Sequence, residues 1–108
     1  MSELADRQCV PCRGGVPPLT GEQISPLLDQ LDGWDAIEQH HLEKSYRFKN
    51  YSEALAFVNR LSEVAENEGH HPDICFGWGQ VQVKIWTHKI DGLTESDFIL
   101  AAKVDQVL

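Results

Sequence analysis

Apolar and polar side chains alternate from Val81 to His88, and this pattern restricts the fold of the chain more than any other. One face of such a strand carries only β-branched residues: Val81, Val83, Ile85 and Thr87. The opposite face carries Gln82, Lys84, Trp86 and His88. A strand of this kind suits a sheet that buries one face and leaves the other open, so we expect a core on a single side of the sheet.

Two further segments on either side of the chain's middle repeat apolar residues at the helical period. The first follows a capping box formed by Thr20 and Gln23. Pro26 would remove a hydrogen bond from this helix, which leaves open a shorter helix capped by Ser25. A last helix begins at a second capping box, formed by Thr94-Glu95-Ser96-Asp97.

A longer helical pattern occupies the middle of the chain. It opens at Tyr51-Ser52, where we expect Ser52 to be the N-cap. Gly69 suits the left-handed residue that ends many helices.

The remaining apolar segments are short and typical of strands. WDAIEQ and HLEKSYRF lie between the first two helices, and DICFGW precedes the alternating strand. The resulting order, αββαββα, predicts an α+β domain with a four-stranded antiparallel sheet and three helices packed on one face. We expect this domain to span residues 19–108. Residues 1–18 contain the CVPC motif and a Gly/Pro-rich stretch, and are predicted to be a flexible, dispensable N-terminal tail.

The composition argues against several kinds of partner. A formal net charge of −8 on 108 residues, with scattered Lys and Arg, argues against nucleic acid or an anionic membrane held by a basic patch. No apolar run approaches the roughly 20 residues of a membrane-spanning helix. The N-terminus also lacks the apolar segment of a signal peptide. We therefore expect a cytoplasmic protein whose cysteines are reduced.

Two adjacent histidines, His70 and His71, follow the predicted end of the long helix and precede Pro72. Imidazole gains and loses protons near neutral pH, which suits acid/base chemistry. The alternative is that both rings only interact with the carbonyl end of the helix. Glu66 lies one turn before His70, so we expect its carboxylate to reach that ring. A solvated acidic face would also account for Glu66.

His88 and Asp97 are less distinctive when each is taken alone. A histidine at the end of a strand is ordinarily a surface residue, and the capping box accounts for Asp97. No metal site is expected, because adjacent histidines point apart in an extended chain and no zinc-like ligand spacing occurs. Cys9 and Cys12 could form half a zinc site or a redox pair, or simply belong to the tail.

Taken together, these residues resemble the signature of the pterin-4a-carbinolamine dehydratase family. The resemblance consists of Glu66-x-x-x-His70-His71-Pro72 followed by Trp78, His88 and Asp97. It extends to LDGW and RFKNYSEALAFVNRL upstream, so that it covers residues 19–108, and the family has the same order of elements. Gly69 departs from the acidic residue of animal members. The CVPC tail resembles N-terminal extensions of some bacterial members.

The resemblance implies a hydro-lyase that converts a 4a-hydroxytetrahydropterin to quinonoid dihydropterin. Such an enzyme recycles the tetrahydrobiopterin cofactor of aromatic amino-acid hydroxylases, one of which is a suggested partner. The implied catalytic residues are His70, His71 and His88, with His70 and His88 in acid/base roles and His71 binding the pterin. The implied binding or orienting residues are Glu66, Pro72, Trp78 and Asp97, with Glu66 orienting His70 and Trp78 forming a pocket wall.

The resemblance implies neither a cofactor nor a metal, and it implies a homodimer or homotetramer. Proteins of this fold also act as non-catalytic modules, as a transcriptional coactivator or as assembly factors for a carbon-fixing enzyme. Such a binding or assembly module is the alternative reading of this sequence. The complete set of histidines favours the dehydratase.

Overall fold

The helices and strands follow one another in the predicted order, αββαββα. The structure is a computed structural model that describes residues 3–9 and 16–108. Its helices are α1 (Gly21–Leu28), α2 (Tyr51–Glu68) and α3 (Glu95–Gln106). Its strands are β1 (Asp35–Ile37), β2 (His41–Arg47), β3 (Asp73–Phe76) and β4 (Gln80–Ile85). Two short 3₁₀ helices occupy Glu3–Asp6 and His88–Ile90.

The four strands form one antiparallel sheet in the order β1-β2-β4-β3. The β-branched face of β4 is buried as its alternation predicts, since Val81, Val83 and Ile85 are fully covered. They join one core with residues of the helices, among them Phe57 of α2 and Phe98 of α3. The α+β prediction, with three helices on one face of an antiparallel sheet, is therefore confirmed.

The helix ends agree with the sequence in most places. Thr20 and Gln23 form both bonds of the capping box of α1, and Pro26 is accommodated inside that helix, so the shorter helix capped by Ser25 does not occur. Asn50, and not Ser52, caps α2, because its side chain accepts a hydrogen bond from the Glu53 amide. The capping box of α3 is also formed.

The start of the chain differs from the predicted tail. Residues Glu3–Asp6 form a 3₁₀ helix that packs against α3, and Leu4 in it has no exposed surface. Lys103 of α3 donates a hydrogen bond to the Ala5 carbonyl over 3.0 Å. Composition alone gave no sign of this docking, because one buried leucine in a polar segment has no periodicity. Cys12 of the CVPC motif lies outside the described residues, whereas Cys9 is half-buried.

Within residues 3–9 and 16–108, no helix combines the length and the apolar character needed to cross a membrane.

Candidate active site

The end of α2 directs the paired histidines into two different environments. Gly69 adopts φ 64° at the C-cap, a left-handed conformation that glycine takes without steric cost, and so turns the chain out of the helix. The next residues lead directly into β3, which begins at Asp73, and successive side chains of a strand point to opposite faces. His70 accordingly lies on the helix side, with its side chain 15% exposed, and His71 on the solvent side at 62%.

His70 is held by a buried carboxylate. Its Nε2 lies 2.5 Å from Oδ1 of Asp97, whose side chain has no exposed surface. Oδ2 of Asp97 accepts hydrogen bonds from the Thr87 hydroxyl, at 2.9 Å, and from the Thr94 amide, at 2.8 Å. These bonds fix the carboxylate, which in turn fixes the ring of His70 and leaves Nδ1 as the nitrogen that can meet a ligand.

The expected contact between Glu66 and His70 is wrong. Glu66 instead bonds to His71, with 2.7 Å between Oε1 and Nε2, and both side chains are largely exposed. The spacing rule for helices fails here because His70 lies beyond the left-handed Gly69, where the helical geometry that would align it with Glu66 has ended.

A cleft of about 430 Å³ opens beside the paired histidines. One wall consists of residues 68–73, which include His70, His71 and Pro72, and the other consists of residues 86–89. His88 lies in this second wall. It belongs to the 3₁₀ turn rather than to the end of the strand, because β4 ends at Ile85. The fold thus brings the three predicted histidines to one cleft.

Trp78 lies elsewhere. It occupies the turn between β3 and β4, is 70% exposed, and borders a separate depression with Arg47 and Gln80. Trp86 lines the histidine cleft instead, and its ring centroid lies 4.3 Å from that of His88. Sequence reasoning placed Trp86 on the open face of the strand but had no signal that the cleft would form there.

The back of the cleft meets the N-terminal segment. Glu68, which lines the cleft, accepts a hydrogen bond of 2.8 Å from the Cys9 amide. Burial of the Cys9 thiol, followed by the charge of Glu68, raises its pKa to about 12. Cys9 is therefore protonated at neutral pH and is a poor nucleophile or metal ligand. Among the described residues, no three His, Cys, Asp or Glu side chains are grouped so that they could hold a metal ion.

Comparison with known proteins identifies the family of this chain. The family model described as pterin 4 alpha carbinolamine dehydratase matches residues 17–107. The chain belongs to this family.

Relatives in the pterin carbinolamine dehydratase family are similar over nearly the whole chain. A protein of Rubrobacter xylanophilus, provisionally named a pterin-4-alpha-carbinolamine dehydratase, is 62% identical over 99% of this chain and 100% of its own. One of Alkaliphilus metalliredigens with the same provisional name is 50% identical over 98% of this chain and 96% of its own.

Solved structures of pterin carbinolamine dehydratase relatives have the same fold. A Brucella melitensis protein titled a transcriptional coactivator/pterin dehydratase has a TM-score of 0.78 at 31% identity, over 83% of this chain and 97% of its own. A pterin dehydratase-like protein titled a RuBisCO assembly factor in the alpha-carboxysome has a TM-score of 0.54 at 29% identity, over 62% of this chain and 77% of its own.

Proposed function

We propose that this protein is a cytoplasmic hydro-lyase that dehydrates a 4a-hydroxytetrahydropterin to quinonoid dihydropterin. In this reaction the C4a–O bond breaks, N5 loses its proton, and a C4a=N5 double bond forms. The hydroxyl leaves as water after it gains a proton. The protein must therefore accept one proton and deliver another at neighbouring atoms of one ring.

The observation that carries the proposal is the pairing of His70 with the buried Asp97 at a cleft that also contains His71 and His88. A carboxylate bonded to one nitrogen of an imidazole fixes the orientation of the ring and stabilises its charged form. In the proposed mechanism, His70 and His88 exchange protons with N5 and the departing hydroxyl. His71, which is more exposed and paired with Glu66, contacts the pterin and orients it.

The partners of the protein are also part of the proposal. A 4a-hydroxytetrahydropterin is the product of aromatic amino-acid hydroxylation, so a hydroxylase would supply the substrate. We further propose that the protein acts as a homodimer or homotetramer. The position of β1 and β3 at the two edges of the sheet, as far as the described residues show, supports this.

A non-catalytic assembly role is the second candidate, and the similarity to the RuBisCO assembly factor favours it. That similarity is to a structure with a TM-score of 0.54, compared with 0.78 for the relative titled a coactivator/pterin dehydratase. Catalysis by the purified protein separates the two candidates directly.

The test is stopped-flow absorbance of carbinolamine decay with the wild-type protein and with alanine variants of His70, His71 and His88. Loss of one proton-transfer group should lower kcat about 10²- to 10⁴-fold, unless the remaining imidazole partly replaces it. The double variant of His70 and His88 should therefore lose much more than either single variant, and His71→Ala should mainly raise KM.

Two controls complete the experiment. Thermal melts identify variants that fail to fold, and a chelator should leave the rate unchanged. Wild-type kcat/KM in every folded variant would refute the histidine mechanism, and a wild-type protein with no activity would favour the assembly role.

A further inference from the structure

Trp86 lies at the centre of a row of ring side chains on the open face of the sheet. The antiparallel registers of β2 and β3 against β4, continued past the strand ends, put His41 on one side of Trp86 and His71 on the other. The ring centroids of His41 and Trp86 are 5.9 Å apart, which agrees with this continuation. His88 packs on the indole at a centroid distance of 4.3 Å.

The side of Trp86 away from the cleft is supported by the β1–β2 hairpin. The ring of His40 lies 5.4 Å from that of Trp86, and His40 Nε2 lies 2.6 Å from a carboxylate oxygen of Asp91. The Nδ1 atoms of His40 and His41 are 3.0 Å apart, so one must donate a hydrogen and the other accept it. Burial, followed by the charge of His40, lowers the pKa of His41, which favours the neutral form of that ring. The hairpin thus gives the indole a fixed support.

The cleft itself brings together three imidazoles and one indole. The imidazoles can exchange protons with a ligand and His71 can orient it, whereas the indole offers the larger aromatic face for a flat ring system such as a pterin. A large aromatic side chain that is only half-buried and already braced loses little conformational freedom when a ring packs on it.

We propose that Trp86 is the residue on which the planar pyrimidinone ring of the substrate stacks, so that Trp86 determines affinity for the pterin. This inference rests on the proposed function. A ring packed on Trp86 lies next to His88, whose ring contacts the same indole. Stacking therefore positions the reacting edge of the substrate beside an acid/base group, and Trp86 itself exchanges no proton.

The experiment compares Trp86→Leu with Trp86→Phe and with Trp78→Leu. Leucine keeps apolar volume but removes the aromatic face, and phenylalanine keeps a smaller aromatic face. Aromatic stacking of a heterocyclic base typically corresponds to roughly a 5- to 100-fold change in binding. We expect Trp86→Leu to raise KM within that range with a smaller change in kcat, Trp86→Phe to restore most of the affinity, and Trp78→Leu to have the smaller effect of the two leucine variants.

A binding measurement separates this inference from the proposed reaction. Biopterin, a stable planar pterin, is titrated into each variant, and the dissociation constant is read from quenching of tryptophan fluorescence and from the anisotropy of biopterin. An inactive wild-type protein that binds biopterin through Trp86 would refute the dehydratase but support the stacking residue. Equal affinities for wild-type and Trp86→Leu, or equal losses in Trp86→Leu and Trp78→Leu, would overturn the inference. If Trp86→Leu does not fold, Trp86→Phe provides the comparison. It should show less quenching of tryptophan fluorescence by biopterin and a higher dissociation constant for biopterin than the wild-type protein.

Discussion

A single carboxylate links the stability of one helix to the geometry of the candidate site. Asp97 completes the capping box of α3 through Oδ2 and holds His70 through Oδ1. Both oxygens are buried, so neither bond competes with water. The same buried side chain therefore fixes both the orientation of the His70 ring and the first turn of α3.

Replacement of Asp97 by Asn tests this double role. The amide oxygen of Asn can still accept a hydrogen bond from the Thr94 amide, but the side chain no longer offers a charged acceptor to His70. We expect kcat for the dehydration to fall about 10- to 100-fold, because the ring of His70 loses the charged acceptor that fixes its orientation.

Thr94→Ala is the matched control for this experiment. It removes the hydroxyl of the same capping box and should lower stability by about 1 kcal/mol, but it leaves the Asp97–His70 bond in place. Stopped-flow rates measured beside urea denaturation separate the two effects. Similar losses of rate in Asp97→Asn and Thr94→Ala at similar stability would mean that Asp97 acts only through the helix.

The residues of the site were predictable to different degrees. His70 and His71 could be singled out from type and spacing, and the family resemblance added His88 and Asp97, although Asp97 was expected to act as a cap and not as the direct partner of His70. That partnership joins side chains 27 positions apart, and no local rule reports such a distance. Trp78 was expected to form a wall of the pocket, and in the single chain it borders a different depression from the histidines, because a sequence does not show which loops meet.

Among the helices and strands, the 3₁₀ helix at Glu3–Asp6 differs most from the prediction, which placed a flexible tail there. Leu4 of this helix is fully buried, and Lys103 of α3 bonds to the Ala5 carbonyl. The segment also reaches Glu68 at the back of the cleft through the Cys9 amide. The segment is therefore part of the packed structure, and its removal should lower the stability of the fold.

Leu4→Ala should lower the free energy of unfolding by about 2 kcal/mol, a cost limited by how firmly the short segment docks. The matched control is Leu55→Ala on α2, where the same truncation removes a side chain that is 40% exposed. Urea denaturation of both variants provides the comparison. Equal, small losses would mean that the segment contributes nothing to stability and that residues 1–15 are dispensable after all.

The periodicity of apolar residues predicted the helices and strands well, but it did not predict the polar contacts between them. The alternation in β4 and the helical spacing in α2 both reflect burial on one side, so they could be read from the order of residues. The polar cluster that joins α3 to β2 could not be read from the order of residues. In it, Asp105 accepts hydrogen bonds from Trp34, Lys44 and Tyr46, which lie between 59 and 71 positions away.

At the scale of the whole molecule, the α-helices of the described residues all pack on one face of the sheet, and β1 and β3 lie at its edges. Unpaired edges can bind further strands, so proteins usually cover or pair them. We expect sedimentation at micromolar concentration to give a mass at least twice the 12.2 kDa of one chain. A single species of monomer mass over that range would contradict the proposed homodimer or homotetramer.

The opposite orientations of His70 and His71 also limit how the length of this segment can vary. Side chains in an extended chain alternate between faces, so one residue added between Gly69 and His70 would exchange the two positions. The ring bonded to Asp97 would then face solvent, and its neighbour would be buried without a partner. We therefore expect a library of insertions and deletions to yield active proteins at the 77–79 turn but none between Gly69 and Asp73, where only substitutions can be tolerated.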